Sequence, residues 1–191
     1  MSDAVTGYDK ASTALNGAAY DGYVRIEDAG LCGMISLRGD LSDAKIKKAC
    51  KDVSGQAMPK ARMIAGDLGG GLAWMSPDEA LVLVPYGEAG AAVTKMQTAL
   101  QASHALAVDV SDARAVFTLR GDKVREVLAK LTPADIASLP AGELRRTRIA
   151  QVAGAIWLSD ESTAHLICFR SVAGYVMALL SRSAMPGAQV R

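Results

Sequence analysis

Two copies of one tetrapeptide, Leu37-Arg38-Gly39-Asp40 and Leu119-Arg120-Gly121-Asp122, stand where chemistry would be sought first. A glycine between a strand and a helix lets the helix amides face an anion such as phosphate. Each copy has a single glycine, and neither GxGxxG nor GxxxxGK followed by Ser or Thr occurs, so both are read as structural turns with an aspartate near a helix start. Arg145-Arg146-Thr147-Arg148 is the densest positive cluster. On a strand, alternation puts Arg146 and Arg148 on one face and Arg145 and Thr147 on the other. Two readings fit: a solvated or salt-bridged strand start, or ionic contacts from Arg145, Arg146 and Arg148 to a partner subunit or an anionic ligand.

The remaining candidates are weaker. His104 falls between a helix and a strand and His165 inside an apolar strand, where a buried imidazole with satisfied nitrogens is commoner than a catalytic base. Asp109-Val110-Ser111-Asp112 reads as turn and capping chemistry, since a Ser-His-Asp hydrolase of the elbow type would need GxSxG. Cys32, Cys50 and Cys168 are odd in number, widely spaced and without CxxC, which predicts buried reduced thiols. With only two histidines and no clustered partners, no local metal ligand set exists in the sequence. Catalytic, cofactor and metal residues are therefore expected to be absent. Trp74 and Trp157 occupy similar places in two related segments, as core fillers or as apolar anchors of an interface.

The elements that position these residues come in two sets. Leu31 to Leu37 reads as a buried strand, Ser42 as a cap, and Asp43 to about Asp52 as a helix. Gly69-Gly70-Gly71 reads as a flexible breaker, followed by strands at Leu72 to Met75 and Ala80 to Val84 joined through Ser76-Pro77-Asp78, then a helix from Glu88 to Gln101. The second half restates this order. LRGD recurs at an offset of 82 residues, Ile156-Trp157-Leu158-Ser159 parallels Ala73-Trp74-Met75-Ser76 at 83, and a strand (Ala164 to Phe169) and helix (Ser171 to Leu180) follow. Two repeats of this length point to an internally duplicated β-α-β-β-α unit in an α+β fold rather than a solenoid. The predicted organisation is an N-terminal arm over residues 1–27, repeats over 28–103 and 104–185 packed as one domain, and a tail over 186–191.

The bulk composition supports a packed protein without a generic electrostatic partner. The chain has 191 residues, half of them apolar and 21% charged, with a net charge of +1. Such a balance gives no general attraction to nucleic acid or anionic lipid. The sequence lacks the roughly 18 consecutive apolar residues of a membrane-spanning helix. Its beginning, MSDAVTGYDK, lacks the charged-then-apolar pattern of a signal peptide, so a cytoplasmic location is expected.

Four segments together carry a family resemblance: AWMSPDEALVLVP, HALAVDVSDARAVFTLRGDKVREVLAKL, RRTRIAQVAGAIWLSDE and HLICFRSVAGYVMALL. Their order resembles the gamma subunit of heterotetrameric sarcosine oxidase over nearly the whole chain after about residue 28. That subunit is in turn similar to the folate-binding domain of glycine-cleavage T-protein aminomethyltransferases. The resemblance implies two interlocked α+β repeats and partnership with alpha, beta and delta subunits. It also implies an assembly that demethylates sarcosine to glycine, forms hydrogen peroxide and passes a one-carbon unit to tetrahydrofolate. FAD, FMN, NAD, zinc and tetrahydrofolate are implied on the other subunits. The T-protein has an acidic residue on the hairpin after its Gly-Gly turn, whereas Gly70 to Ser76 carries no carboxylate before Asp78. No T-protein functional residue transfers by identity, and a non-catalytic assembly subunit is the expected role. Two alternatives stand beside it: an independent folate-binding or one-carbon-transfer module, and a regulatory module binding an anion through the three arginines.

Overall fold

The computed structural model describes residues 11–190, so the first ten residues of the expected arm and Arg191 of the tail lie outside the description. In chain order the elements are β1 (Ala19–Asp21), β2 (Arg25–Asp28), β3 (Cys32–Arg38), α1 (Ala44–Ser54), β4 (Ile64–Asp67), β5 (Gly70–Ser76), β6 (Glu79–Pro85) and α2 (Ala89–Leu100). The second set is β7 (Leu106–Asp109), β8 (Arg114–Arg120), α3 (Val124–Ala129), β9 (Leu144–Ile149), β10 (Val152–Leu158), β11 (Thr163–Phe169) and α4 (Ala173–Ser183). The duplication is therefore real in three dimensions. The first unit gains a strand, β4, beyond the β-α-β-β-α expectation, matching β9, the strand expected at Arg145 to Arg148 in the second. The β4 sequence, IAGD, is too short and too polar to show a strand period.

Local chemistry explains the boundaries. The helix α1 begins after Asp43, whose carboxylate accepts from the Lys45 amide at 2.7 Å, and ends at Gly55, in the left-handed region. Ser42, expected to cap, instead bonds through its amide and hydroxyl to the Asp40 carboxylate at 2.8 and 2.7 Å. The three glycines are not a flexible break. The amides of Gly69 and Gly70 bond to the Asp67 carboxylate to form a hairpin turn, and Gly70 and Gly71 belong to β5. Both LRGD motifs are turns with one shared design: the Gly39 amide donates to the Asp78 carbonyl at 3.0 Å and the Gly121 amide to the Ser162 carbonyl at 2.9 Å. The φ angles there, 155° and 142°, suit glycine, and a Cβ on Gly39 would come within 2.7 Å of the Ile46 side chain.

Two antiparallel sheets result, one ordered β4-β5-β6-β3-β7 and the other β1-β2-β8-β11-β10-β9. Alternation along each strand sends one set of side chains between the sheets and the other toward helices. The layer between the sheets contains Met34, Ala73, Met75, Leu81 and Leu83 from one side and Val116, Leu144, Ala155, Trp157 and Ile167 from the other. Outside it, α1 and α2 cover the first sheet through Ile46, Cys50, Met96 and Leu100. The second sheet is covered by α3 and α4 through Val124, Val127, Val176 and Leu180. No helix among the described residues is long and apolar enough to cross a membrane.

The repeats exchange strands. The lead-in strand of the first repeat, β2, pairs with β8 in the sheet of the second, and the lead-in strand of the second, β7, pairs with β3 in the sheet of the first. The matching bonds are Ala29 amide to Val116 carbonyl at 2.9 Å and Val110 amide to Met34 carbonyl at 2.8 Å. Part of the segment expected to be an arm is consequently core: Val24 and Ile26 are buried against Phe117, Leu119 and Val124.

Candidate functional site

Polar groups enter the inter-sheet layer at two ends, and the duplication makes these ends comparable. At one end Glu79 opens β6 on the same face as Leu81 and Leu83, and its side chain is 8% exposed. A carboxylate so placed needs partners. Ser36 Oγ donates to it at 3.2 Å, Arg38 Nη2 at 3.1 Å and Arg146 Nη1 at 3.2 Å, while Arg146 also reaches the Met75 carbonyl at 3.4 Å. Glu79 thus ties β3 and β6 of one sheet to β9 of the other. No sequence motif marked this residue.

At the other end, Thr118 and Arg120 stand where the first repeat has Ser36 and Arg38, and His165 takes the central position. Its Nδ1 lies 3.2 Å from Thr118 Oγ1 and its Nε2 lies 2.9 Å from Ser159 Oγ, and the ring stacks on Trp157 with centroids 5.0 Å apart. Burial, with the Arg120 charge adding to it, pushes the His165 pKa down to about 4. A neutral imidazole with both nitrogens engaged is a structural bridge rather than a general base.

The five interface candidates scatter. Trp157 is 3% exposed between the sheets, so its ring is spent on this chain's own core and is not an exposed anchor. Trp74 packs on the opposite side of its sheet, toward the helices. The two tryptophans are not equivalent: Trp74 lies opposite Ala80, as Leu158 lies opposite Ala164, which makes Leu158 the counterpart of Trp74. The true offset on this hairpin is 84, and a one-residue error in a period-2 structure reverses the face. Arg146 and Arg148 do share a face, but Arg146 is an inter-sheet tie. Arg145 turns the other way and pairs with Glu143, which also lies 3.5 Å from Arg62. Arg148 is exposed and has no ion pair among the described residues.

The other candidates are structural. Ser111 Oγ accepts from the Met34 amide at 2.9 Å and donates to Asp109, which also accepts the Ser111 amide. Cys32, Cys50 and Cys168 are buried free thiols, with pKa values pushed up by burial to about 11, 12 and 11. Arg114 lies over the Phe169 ring at 4.7 Å, and burial lowers its pKa. Among the described residues no cluster of three His, Cys, Asp or Glu side chains could hold a metal ion. An open groove of about 530 Å³ lies on the surface, lined by Arg38, Gly39, Asp40, Pro77, Asp78, His104, Ala105 and Leu106.

Two interlocked repeats, sheets face to face and helices outside, make this the fold of the aminomethyltransferase folate-binding domain. Glycine cleavage system aminomethyltransferase T from Bartonella henselae superposes with a TM-score of 0.61 at 15% identity, over 80% of this chain and 44% of that one. A chain of the heterotetrameric sarcosine oxidase from Corynebacterium sp. U-96, solved in complex with pyrrole 2-carboxylate, superposes with a TM-score of 0.79 at 21% identity, over 91% of this chain and 90% of that one. No curated protein matches the sequence. The sarcosine oxidase gamma subunit family matches residues 38–185, and the chain belongs to that family.

Proposed function

We propose that this chain is the gamma subunit of a heterotetrameric sarcosine oxidase, working in the cytoplasm with alpha, beta and delta subunits. It holds the assembly's geometry, while FAD, FMN, NAD, zinc and tetrahydrofolate sit on the other chains. The assembly demethylates sarcosine oxidatively to glycine. The observation that carries this reading is the family match over residues 38–185, on a chain whose fold follows a sarcosine oxidase chain over 91% of its length. The polar ends of the inter-sheet layer support a structural role, because Glu79 and His165 are both fully engaged with this chain's own groups. The two repeats, 28–103 and 104–185, act as one domain, preceded by the 1–27 arm and followed by the 186–191 tail. Arg148, exposed and unpaired among the described residues, is the arginine best placed for an ionic contact to a partner.

The test is affinity purification of the tagged chain from its source cells, with subunit masses and the absorbance spectrum of the recovered material. Three further subunits and a flavin spectrum are expected. A colourless chain recovered alone under gentle conditions refutes the reading, and heat on titration with tetrahydrofolate would then favour an independent folate module.

A further inference from the structure

The exchanged strands β2 and β7 occupy matching places, yet their outer edges differ. On β2 the outer edge is paired with β1, Tyr20 lying opposite Ile26, and the Asp28 amide donates to the Ala18 carbonyl at 2.8 Å. Since the Ala29 to Val116 and Val110 to Met34 bonds are one bond repeated, Ala107 and Asp109 are the counterparts of Ile26 and Asp28. In an antiparallel pair, residues that do not bond inward point their amides outward. The amides of Ala107 and Asp109 therefore face the edge of the five-stranded sheet, where no further strand follows among the described residues. Gln97 Nε2 reaches the Ala107 carbonyl there at 2.9 Å, and among the described residues the Asp109 amide has no counterpart of the bond that Asp28 makes.

The outward faces differ as well. On β2 they carry Arg25 and Glu27, bonded to each other and onward to Asp21 and Arg120. On β7 the same positions are Leu106 and Val108, 57% and 40% exposed. The charges on β2 are matched to Asp21 of the strand that covers it and would not suit an apolar partner, whereas an apolar open edge such as that of β7 invites pairing with another chain. Grooves flank Leu106 on both sides, one floored by Arg38, Gly39 and Pro77, the other by Gln97, Leu100 and Ser103. The chain cannot fill the place from the residues just before β7, because 101–105 are used in a turn in which the Ser103 amide bonds to Leu100 and the Ala105 amide to Ser103.

We propose that an extended strand of a partner subunit adds to β7 in the place that β1 takes on β2. The inference rests on the gamma-subunit reading. The fold's own solution at the matching edge is a strand of sequence unlike β2, Ala19-Tyr20-Asp21, supplied from outside the duplicated unit, and this is the template for a strand from a different chain rather than a second copy of β7. The added strand bonds through its backbone to the Asp109 and Ala107 amides and lays apolar side chains on Leu106 and Val108.

The experiment is co-expression of the tagged chain with the other three subunits, as wild type and as the double variant Leu106→Arg/Val108→Glu, which copies Arg25 and Glu27 of β2. Both positions are exposed, so the isolated variant keeps the wild-type melting temperature and circular dichroism. Recovery of partner subunits falls at least tenfold, and amide exchange at Ala107 and Asp109 is at least tenfold slower in the wild-type complex than in the isolated chain. Equal recovery with unchanged exchange, from an intact wild-type complex, overturns the β7 contact and leaves the gamma-subunit reading standing. A wild-type chain that recovers no partner removes both. Sedimentation of the isolated chain as a dimer that the double variant makes monomeric assigns the edge to a second copy, and that result also overturns the proposal.

Discussion

Replacing Glu79 with Gln keeps its shape and removes its charge, which isolates what the inter-sheet tie contributes. Its oxygen stands 3.2 Å from Arg146 Nη1 and 3.1 Å from Arg38 Nη2. At 3.2 Å, one such pair amounts to about 1 kcal/mol screened as in bulk water and about 5 kcal/mol at an effective dielectric near 20. The Arg146 side chain is 50% exposed, so solvent screening holds the value toward the lower end even though Glu79 is 8% exposed. A double-mutant cycle of Glu79→Gln and Arg146→Gln is therefore expected to give a coupling of about 1–2 kcal/mol. Glu79→Gln alone, which also weakens Arg38 and Ser36, destabilises by about 2 kcal/mol, a fall in melting temperature of roughly 4–8 °C for a domain of this size. Urea unfolding of the four proteins measures both quantities, with Arg148→Gln as a control expected within about 0.5 kcal/mol of wild type. A coupling below about 0.3 kcal/mol would refute the reasoning and return Arg146 to the candidates for a partner contact.

Three other outcomes follow from the same packing. His165 has a folded pKa near 4 against about 6.5 unfolded, so the unfolded chain binds the extra proton; stability is full above pH 6.5 and declines by roughly 2–3 kcal/mol as pH falls toward 4. Urea midpoints measured from pH 7.5 to 4 report this decline, and a His165→Gln variant whose profile matches wild type would contradict it. Trp157→Ala, at the centre of the inter-sheet layer, costs about 3–5 kcal/mol, whereas the partly exposed Trp74→Ala costs less than half as much; equal losses in thermal melts would argue against their placement on opposite faces. The three buried thiols react slowly with a disulfide reagent in the folded protein at pH 8 and all together after unfolding, and rapid labelling of any one in the native state would contradict its burial.

The duplication was legible because the turn that Gly39 and Gly121 make demands the same local chemistry twice, and this left a readable tetrapeptide. The hydrophobic runs of β3, β6, β8 and β11 were legible for the usual reason, their density of Val, Leu and Ile. Strand exchange was not, since nothing local to Arg25–Asp28 or Leu106–Asp109 says which sheet it joins; that is decided by contacts far along the chain. The tryptophans were matched one residue out of register, and β alternation turned that small error into opposite faces. Strand alternation places Arg146 on its observed face, while its partner Glu79 lies 67 residues away and belongs to no motif. The signal was present: Glu79 shares parity with Leu81 and Leu83, and a carboxylate on the inward parity of a buried strand calls for a cation.

The exchange of β2 and β7 also dictates an order of events on the ribosome. The first sheet has all its strands once Asp109 has emerged, whereas Ile26 must wait for Leu119 before it has a neighbour on its inner side. The earliest part of the fold to be synthesised is thus among the last to be locked, and the second repeat closes over a strand made long before it. A chain halted between the repeats would hold the β1–β2 hairpin with its inner edge bare and β3 with one edge bare. Synthesis through β7 completes the first sheet, and only synthesis through β11 closes the second around β8, so products arrested between the two hold β2 and β8 without the rest of their sheet and are expected to be cleared rather than to accumulate.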